Sequence, residues 1–342
     1  MKITIRRLII SLFSSGALIL LFVLFVPRTY DVPHVKELKS TLYWNLPTGS
    51  QIAYTLIPAK GIKKASPIIF LQGGPGGFYT ERTIELFRSF SEIGYDIYLY
   101  DQIGGGHSAR LKNIREYTAD RHKRDLEEIV RKIGSEKVIL IAQSWGAILA
   151  TLFIADNPTK VEKIVFTGPG PIQPMNMELA KQASPDSLQL REPNFSNAQA
   201  NKSVQNIRSK LTMKWALLFG KKLASDTEAD DFQTLLNKKL NKSTVCDTSI
   251  DVRAEGGGGY YVQVMTIKSL ANVKDPRPVL KKSKIPVLVM KGQCDNQKWG
   301  FTNEYLQLFT NHRLVIIKNA GHSISREQPD LYLKTICDFL SE

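Results

Sequence analysis

The 342-residue chain is poor in the residues that build metal and disulfide frameworks. It has only three cysteines, Cys246, Cys294 and Cys337, and five histidines. No cysteine pair has metal-ligand spacing, and three thiols imply no disulfide scaffold. In an oxidising compartment they allow one disulfide with one thiol left over, and the sequence does not say which. No metal or organic cofactor is implied. A nucleic-acid arm is missing too. The net charge is +14, but the excess is spread along the chain, and Lys63-Lys64, Lys221-Lys222 and Lys281-Lys282 read as solvated surface. The run Gln72-Gly73-Gly74-Pro75-Gly76-Gly77 lacks the Gly-Lys-Ser/Thr ending of a phosphate-binding loop. With 43% apolar and 23% charged residues, the composition is that of a globular protein. The length allows one large domain with an insertion, or two domains.

What is present begins with an apolar N-terminus. Lys2, Arg6 and Arg7 precede Leu8 to Val26, a run without charge that closes on Pro27-Arg28. Nineteen helical residues reach roughly 28 Å, close to a bilayer core. No small-x-small exit follows, so residues 1–30 read as an uncleaved signal anchor rather than a cleaved signal peptide. The basic flank predicts a cytoplasmic N-terminus and a catalytic domain on the other side. A basic, anchored domain could also rest against anionic lipid.

Residues 31–39 read as a linker, followed by a hairpin over Ser40–Leu46 and Gln51–Pro58, turning at Pro47-Thr48-Gly49-Ser50. From there strands alternate with helices: strands Pro67–Leu71, Tyr95–Asp101, Lys137–Gln143 and Val161–Thr167, and helices Thr80–Ile93, Thr118–Ile133 and Trp145–Asn157. That order implies an α/β fold with a mostly parallel sheet covered on both faces. From Gly168 to Lys284 the alternation stops and polar helical segments such as Ser209–Phe219 and Ala229–Leu240 take over. The four glycines after Glu255 read as a hinge or a close approach to substrate, and equally as a floppy loop. Alternation resumes with strand Ile285–Met290, helix Phe301–Phe309, strand Arg313–Ile317 and a last helix over Gln328–Leu340. The division expected is an anchor over 1–30, a core over 31–170, a helical cap over 171–284 and a second core segment over 285–342.

Three side chains follow strands directly. Ser144 sits in Ala142-Gln143-Ser144-Trp145-Gly146, a strand–turn–helix context that suits a nucleophile elbow. Asp295 and His322 follow the strands at Ile285–Met290 and Arg313–Ile317. All three would share one edge of a parallel sheet, in the order nucleophile, acid, base. A serine hydroxyl is a weak nucleophile and needs such a base. His322 would take and return its proton, with Asp295 orienting the imidazole. The oxyanion would rest on backbone N–H groups of Trp145 and of the Gly73-Gly74 loop. Asp101 is a rival acid that precedes the serine, His107 lies in a glycine-rich loop with no acid expected to orient it, and Cys294 reads as passive.

Gln72-Gly73-Gly74-Pro75-Gly76-Gly77, Asp101-Gln102-Ile103-Gly104-Gly105-Gly106-His107-Ser108, Gln143-Ser144-Trp145-Gly146-Ala147 and Gly321-His322 together resemble the proline iminopeptidase (prolyl aminopeptidase) family of α/β-hydrolases, over residues 40–170 and 285–342. The resemblance implies an α/β-hydrolase fold and a serine hydrolase that removes an N-terminal residue, often proline, from short peptides. It maps the loop's oxyanion amide to Gly74 and a cap glutamate for the substrate's amino group to Glu255. Departures from the family pattern fall at Gln72 (for histidine), Ile103 (for arginine) and Ala142 (for glycine), and no triad member is lost. The alternatives are a membrane-associated esterase or amidase on small acyl or lipid-like substrates, and a non-catalytic hydrolase fold. The expected partners are a short peptide or small acyl substrate and the membrane, with no nucleic acid.

Overall fold

The computed structural model describes residues 2–250 and 254–342. Eight strands form one sheet in the order β1-β2-β4-β3-β5-β6-β7-β8. They are β1 (Leu42–Asn45), β2 (Gln51–Ile57), β3 (Ile68–Leu71), β4 (Ile97–Tyr100), β5 (Val138–Gln143), β6 (Val161–Thr167), β7 (Val287–Gly292) and β8 (His312–Ile317). The hairpin β1–β2 is antiparallel and joins β4 antiparallel; every other pairing is parallel. The expected α/β-hydrolase architecture with a mostly parallel sheet is what the chain adopts.

Period-two alternation explains why both sheet faces are covered. In β5, Ile139 and Ile141 join one apolar cluster with Phe87, Phe90 and Ile336, while Leu140 and Ala142 join another with Leu126, Leu149 and Phe153. A strand apolar on both sides is stable only between two helical layers. The first layer uses α2 (Glu81–Glu92) and α12 (Pro329–Ser341). The second uses α3 (Ala119–Ile133), α4 (Trp145–Asp156) and α10 (Trp299–Leu308). Helix α3 starts on a Thr118 cap and stops at Gly134, whose φ of 74° is the left-handed ending that glycine favours. Helix α4 is apolar all round and almost wholly buried.

Between β6 and β7 the chain forms α5 (Asn197–Val204), α6 (Ile207–Phe219), α7 (Asp226–Leu240), α8 (Tyr260–Ser269) and α9 (Arg277–Leu280). The sequence pattern predicted α6 and α7 closely and missed α5 and α8. The glycines after Glu255 are sites of close approach. A Cβ at Gly256 would collide with the Pro33 carbonyl and one at Gly259 with the Gly104 carbonyl, and Gly257 accepts a hydrogen bond from Gly106 N–H at 2.9 Å. Segment 31–39 is therefore no loose linker, because the backbone at Pro33–Val35 packs on this run.

The N-terminal helix α1 (Lys2–Phe25) contains an apolar stretch, Ile5–Phe25, of mean hydropathy 2.7 and wholly unburied. Its 21 residues are long and apolar enough to cross a membrane. Its last turn is attached to α6 and α7: Arg208 donates to the carbonyls of Val23 and Leu24 while its other nitrogens pair with buried Glu228 at 2.8 and 2.9 Å.

Candidate active site

Strand β5 ends at Gln143 and leads into Ser144, whose φ of 54° and ψ of −114° are held against the preference of a residue with a Cβ. Its neighbours hold the turn. Ser144 N–H donates to Thr167 O at 3.2 Å, and its carbonyl accepts from Ala147 and Gly170 at 3.0 and 3.2 Å. A Cβ at Gly146 would collide with the Leu71 carbonyl, so a side chain is barred there. Ala142 pairs with both Leu71 and Phe166 and is fully buried, so its methyl is absorbed into the core.

Two backbone segments flank this serine. Trp145 opens α4, and its N–H is one of the first-turn amides that have no acceptor inside the helix. Gly73 touches the serine closely enough that a Cβ on it would lie 3.4 Å from Ser144 Cβ. Gly74, at φ 134°, has a conformation and a crowding (2.8 Å from its would-be Cβ to Gly77 N) that glycine alone tolerates. Gln102 ties the two segments together. Its Oε1 accepts from Gly76 N–H and from the Trp145 indole N–H, both at 3.0 Å, and its Nε2 donates to Gln72 O at 2.9 Å.

Asp295 and His322 come together behind this turn. His322 Nδ1 lies 2.9 Å from Asp295 Oδ1, which also accepts from Gln297 N–H at 3.0 Å. A proton on Nδ1 satisfies that contact and leaves Nε2 unprotonated in the neutral ring. Among the described residues Asp295 Oδ2 accepts no hydrogen bond, but it sits 3.4 Å from Lys291 Nζ, itself 2% exposed. Burial disfavours the charged carboxyl. Lys291, His322 and the Gln297 amide outweigh that and hold it well below the usual carboxylate range. Room for the pair is left by Gly168, where a Cβ would lie 2.8 Å from His322 Nδ1.

The segment between β6 and β7 is stitched to this half of the site. Cys246 and Cys294 form a disulfide with Cα atoms 5.3 Å apart, leaving Cys337 as the free thiol. Ser323 N–H donates to Thr244 O at 2.9 Å. Glu327 accepts from Gly321 N–H at 2.5 Å and from the amides of Cys246 and Asp247 at 2.8 and 3.2 Å.

Ser144, His322, Gly74 and Glu255 all line one cavity of about 440 Å³. Among the described residues no hydrogen bond joins the Ser144 hydroxyl to His322; such contacts are commonly loose before substrate binds. His107 requires a correction. It does have an acid beside it, since Asp101 Oδ2 lies 3.4 Å from Nδ1 and accepts its backbone N–H at 2.7 Å. Asp101 also accepts from Tyr79 N–H, and neither residue of this pair lines the cavity. Lys291, Gly168, Gln102 and Glu327 were given no role by the sequence reading. Only Lys291 left a signal, as a charge at the end of an apolar strand four residues before the acid.

Residues 66–329 match the family model described as alpha/beta hydrolase fold. The chain belongs to the α/β-hydrolase fold family. Curated relatives of this α/β-hydrolase include the proline iminopeptidase of Saccharolobus solfataricus, 22% identical over 86% of this chain and 90% of that protein. The proline iminopeptidase of Lactobacillus delbrueckii subsp. lactis is 30% identical over 36% of this chain and 42% of its own length. The resemblance to proline iminopeptidases read from the four motifs extends over most of the chain. Among solved structures, an alpha/beta fold family hydrolase from Bacillus anthracis str. Sterne superposes with a TM-score of 0.59 at 18% identity, covering 87% of this chain and 98% of that one.

Proposed function

We propose that this α/β-hydrolase is a serine aminopeptidase that releases an N-terminal residue, of proline type, from short peptides through an acyl-enzyme on Ser144. The observation that carries the reading is the shared cavity: a serine in a strained elbow faces the same space as an imidazole whose far nitrogen is bonded to a buried carboxylate. In this mechanism His322 Nε2 takes the hydroxyl proton as Ser144 Oγ attacks the scissile carbonyl. The oxyanion rests on the N–H groups of Trp145 and Gly74. Collapse breaks the C–N bond, and the proton passes from His322 to the leaving amine. Water, deprotonated by His322, then releases the N-terminal residue and restores Ser144. Asp295 stabilises the imidazolium throughout, and Glu255 receives the substrate's ammonium group. Residues 171–284 serve as the cap over the core formed by 31–170 and 285–342.

The first thirty residues act in this proposal as a signal anchor, with the catalytic body on the non-cytoplasmic side. The basic flank supports it, as does the disulfide, which persists in oxidising compartments. A second reading, an esterase or amidase on lipid-like acyl groups, is favoured by one observation. An apolar groove of about 460 Å³ in the cap shares Gln233, Leu240 and Gln263 with the catalytic cavity.

The test is a panel of aminoacyl amides and p-nitrophenyl esters on wild type and Ser144→Ala. Hydrolysis of the amides, lowered about 10⁴-fold or more by the substitution, is expected. Activity on esters alone selects the second reading. Folded wild type that takes no fluorophosphonate label at Ser144 removes both.

A further inference from the structure

Four ionisable groups line the catalytic cavity among the described residues: His322, Glu255, Arg82 and Arg326. Glu255 is absorbed by the proposed mechanism, and the two arginines are not. Arg326 stands four residues after His322, in the short helix α11 (Ile324–Glu327), and Arg82 in the first turn of α2. The two segments touch, for Arg82 Nη2 donates to the Arg326 carbonyl at 3.4 Å.

The Arg326 guanidinium is half-buried, yet among the described residues it makes no hydrogen bond and no ion pair with a carboxylate. Its neighbour Glu327 is fully engaged by three backbone amides. Glu81 and Glu85 line the recess on the far side of Arg82 rather than the catalytic cavity. Burial and the like charge of Arg82 press against the cation, and Glu255 only partly offsets them. A guanidinium presents five donors in a planar fork that matches a carboxylate, and one without a partner in a cleft is suited to a bound anion.

We propose that Arg326, assisted by Arg82, binds the C-terminal carboxylate of a dipeptide-sized substrate whose N-terminal residue is released at Ser144. This rests on the aminopeptidase reading and deepens it to a substrate class. A dipeptide is a compact zwitterion, with its two charges about 7 Å apart when extended. The cavity wall presents the opposite pair, Glu255 and the arginines, close enough for Glu255 to act electrostatically on Arg326. Short peptides are then preferred because a longer chain carries its carboxylate past the fork.

The experiment uses the full-length chain in neutral detergent. Calorimetry on Ser144→Ala compares prolyl-alanine with prolyl-alaninamide, which differ only in the terminal carboxylate. The acid is expected to bind about tenfold tighter, the scale of a charge-assisted bidentate contact. In Ser144→Ala/Arg326→Gln that ratio falls to near one. Arg326→Lys restores part of it, and Arg82→Gln lowers it less. Thermal unfolding confirms that each variant is folded. Equal affinities, no binding of the acid, or a ratio that survives Arg326→Gln overturns the proposal. Hydrolysis of the same two compounds by wild type reports separately on the aminopeptidase assignment. Failure to cleave either removes that assignment, while the binding ratio still decides the role of Arg326.

Discussion

The two halves of the proposed site are built in different ways. The nucleophile half is local: Ser144, Trp145 and Gly146 lie within three residues, and their geometry comes from a backbone turn between β5 and α4. The acid–base half is assembled from afar. Asp295 needs Lys291, His322 needs the space at Gly168, and both loops need the segment Thr244–Asp247. The first half stores strain in the backbone, whereas the second spends side-chain contacts to hold a buried charge. Substitutions should therefore move their stabilities in opposite directions.

The largest effect is expected at Lys291. Removing one partner of a buried pair typically costs about 3–5 kcal/mol, so Lys291→Met should destabilise the folded chain by that order in urea unfolding at neutral pH. The pH dependence has a definite sign. The folded-state carboxyl of Asp295 is depressed, so its contribution in wild type is complete above the ordinary carboxylate range and is lost as pH falls through the folded value. Without Lys291, burial acts with less opposition. The gap between wild type and variant should be widest near pH 7 and narrow below about pH 4. A gap that does not change with pH would mean that Lys291 acts by packing alone, and the contrast between the halves would weaken.

This contrast also explains what could be read from the chain in advance. The alternation of apolar strands and helices gave the sheet, because each period is written in consecutive residues. Ser144 was legible for the same reason, as were the strand-end positions of Asp295 and His322. Lys291 was not, because a lysine at a strand end usually reaches water, and only the fold shows that this one is sealed in. Gly168 matters through a ring from a loop more than 150 residues away, which no local pattern encodes. The glycines at 256–259 read as hinge or contact, and equally as a floppy loop, until Pro33 and Gly104 were found against them. The pairing of Cys246 with Cys294 could not be chosen among three cysteines without knowing which loops meet.

The second effect concerns that disulfide. It closes a loop of 48 residues in sequence separation, for which the chain-entropy model gives about 4 kcal/mol. The double variant Cys246→Ser/Cys294→Ser should lose about 2–4 kcal/mol. The loss should be uneven. Amide hydrogen exchange is expected to accelerate at residues 292–297 and 320–323, which the segment Thr244–Asp247 holds, and to stay unchanged at 142–147, which the sheet holds. Equal acceleration at both places would show that the halves are one cooperative unit.

The smallest effect runs the other way. Ser144 holds a φ of 54° that glycine adopts without steric penalty. Ser144→Gly should abolish hydrolysis and yet relieve backbone strain of about 1 kcal/mol. Glycine's greater freedom in the unfolded chain subtracts from the gain, by about 0.5–1 kcal/mol. Ser144→Ala separates these terms, since alanine keeps the Cβ and therefore the strain while losing the hydroxyl. The expected order of thermal midpoints is Ser144→Gly at or above wild type, with Ser144→Ala no higher than wild type. A glycine variant that melts well below the alanine one would mean that the elbow is held without strain, and the nucleophile half would then owe its geometry to contacts as the other half does.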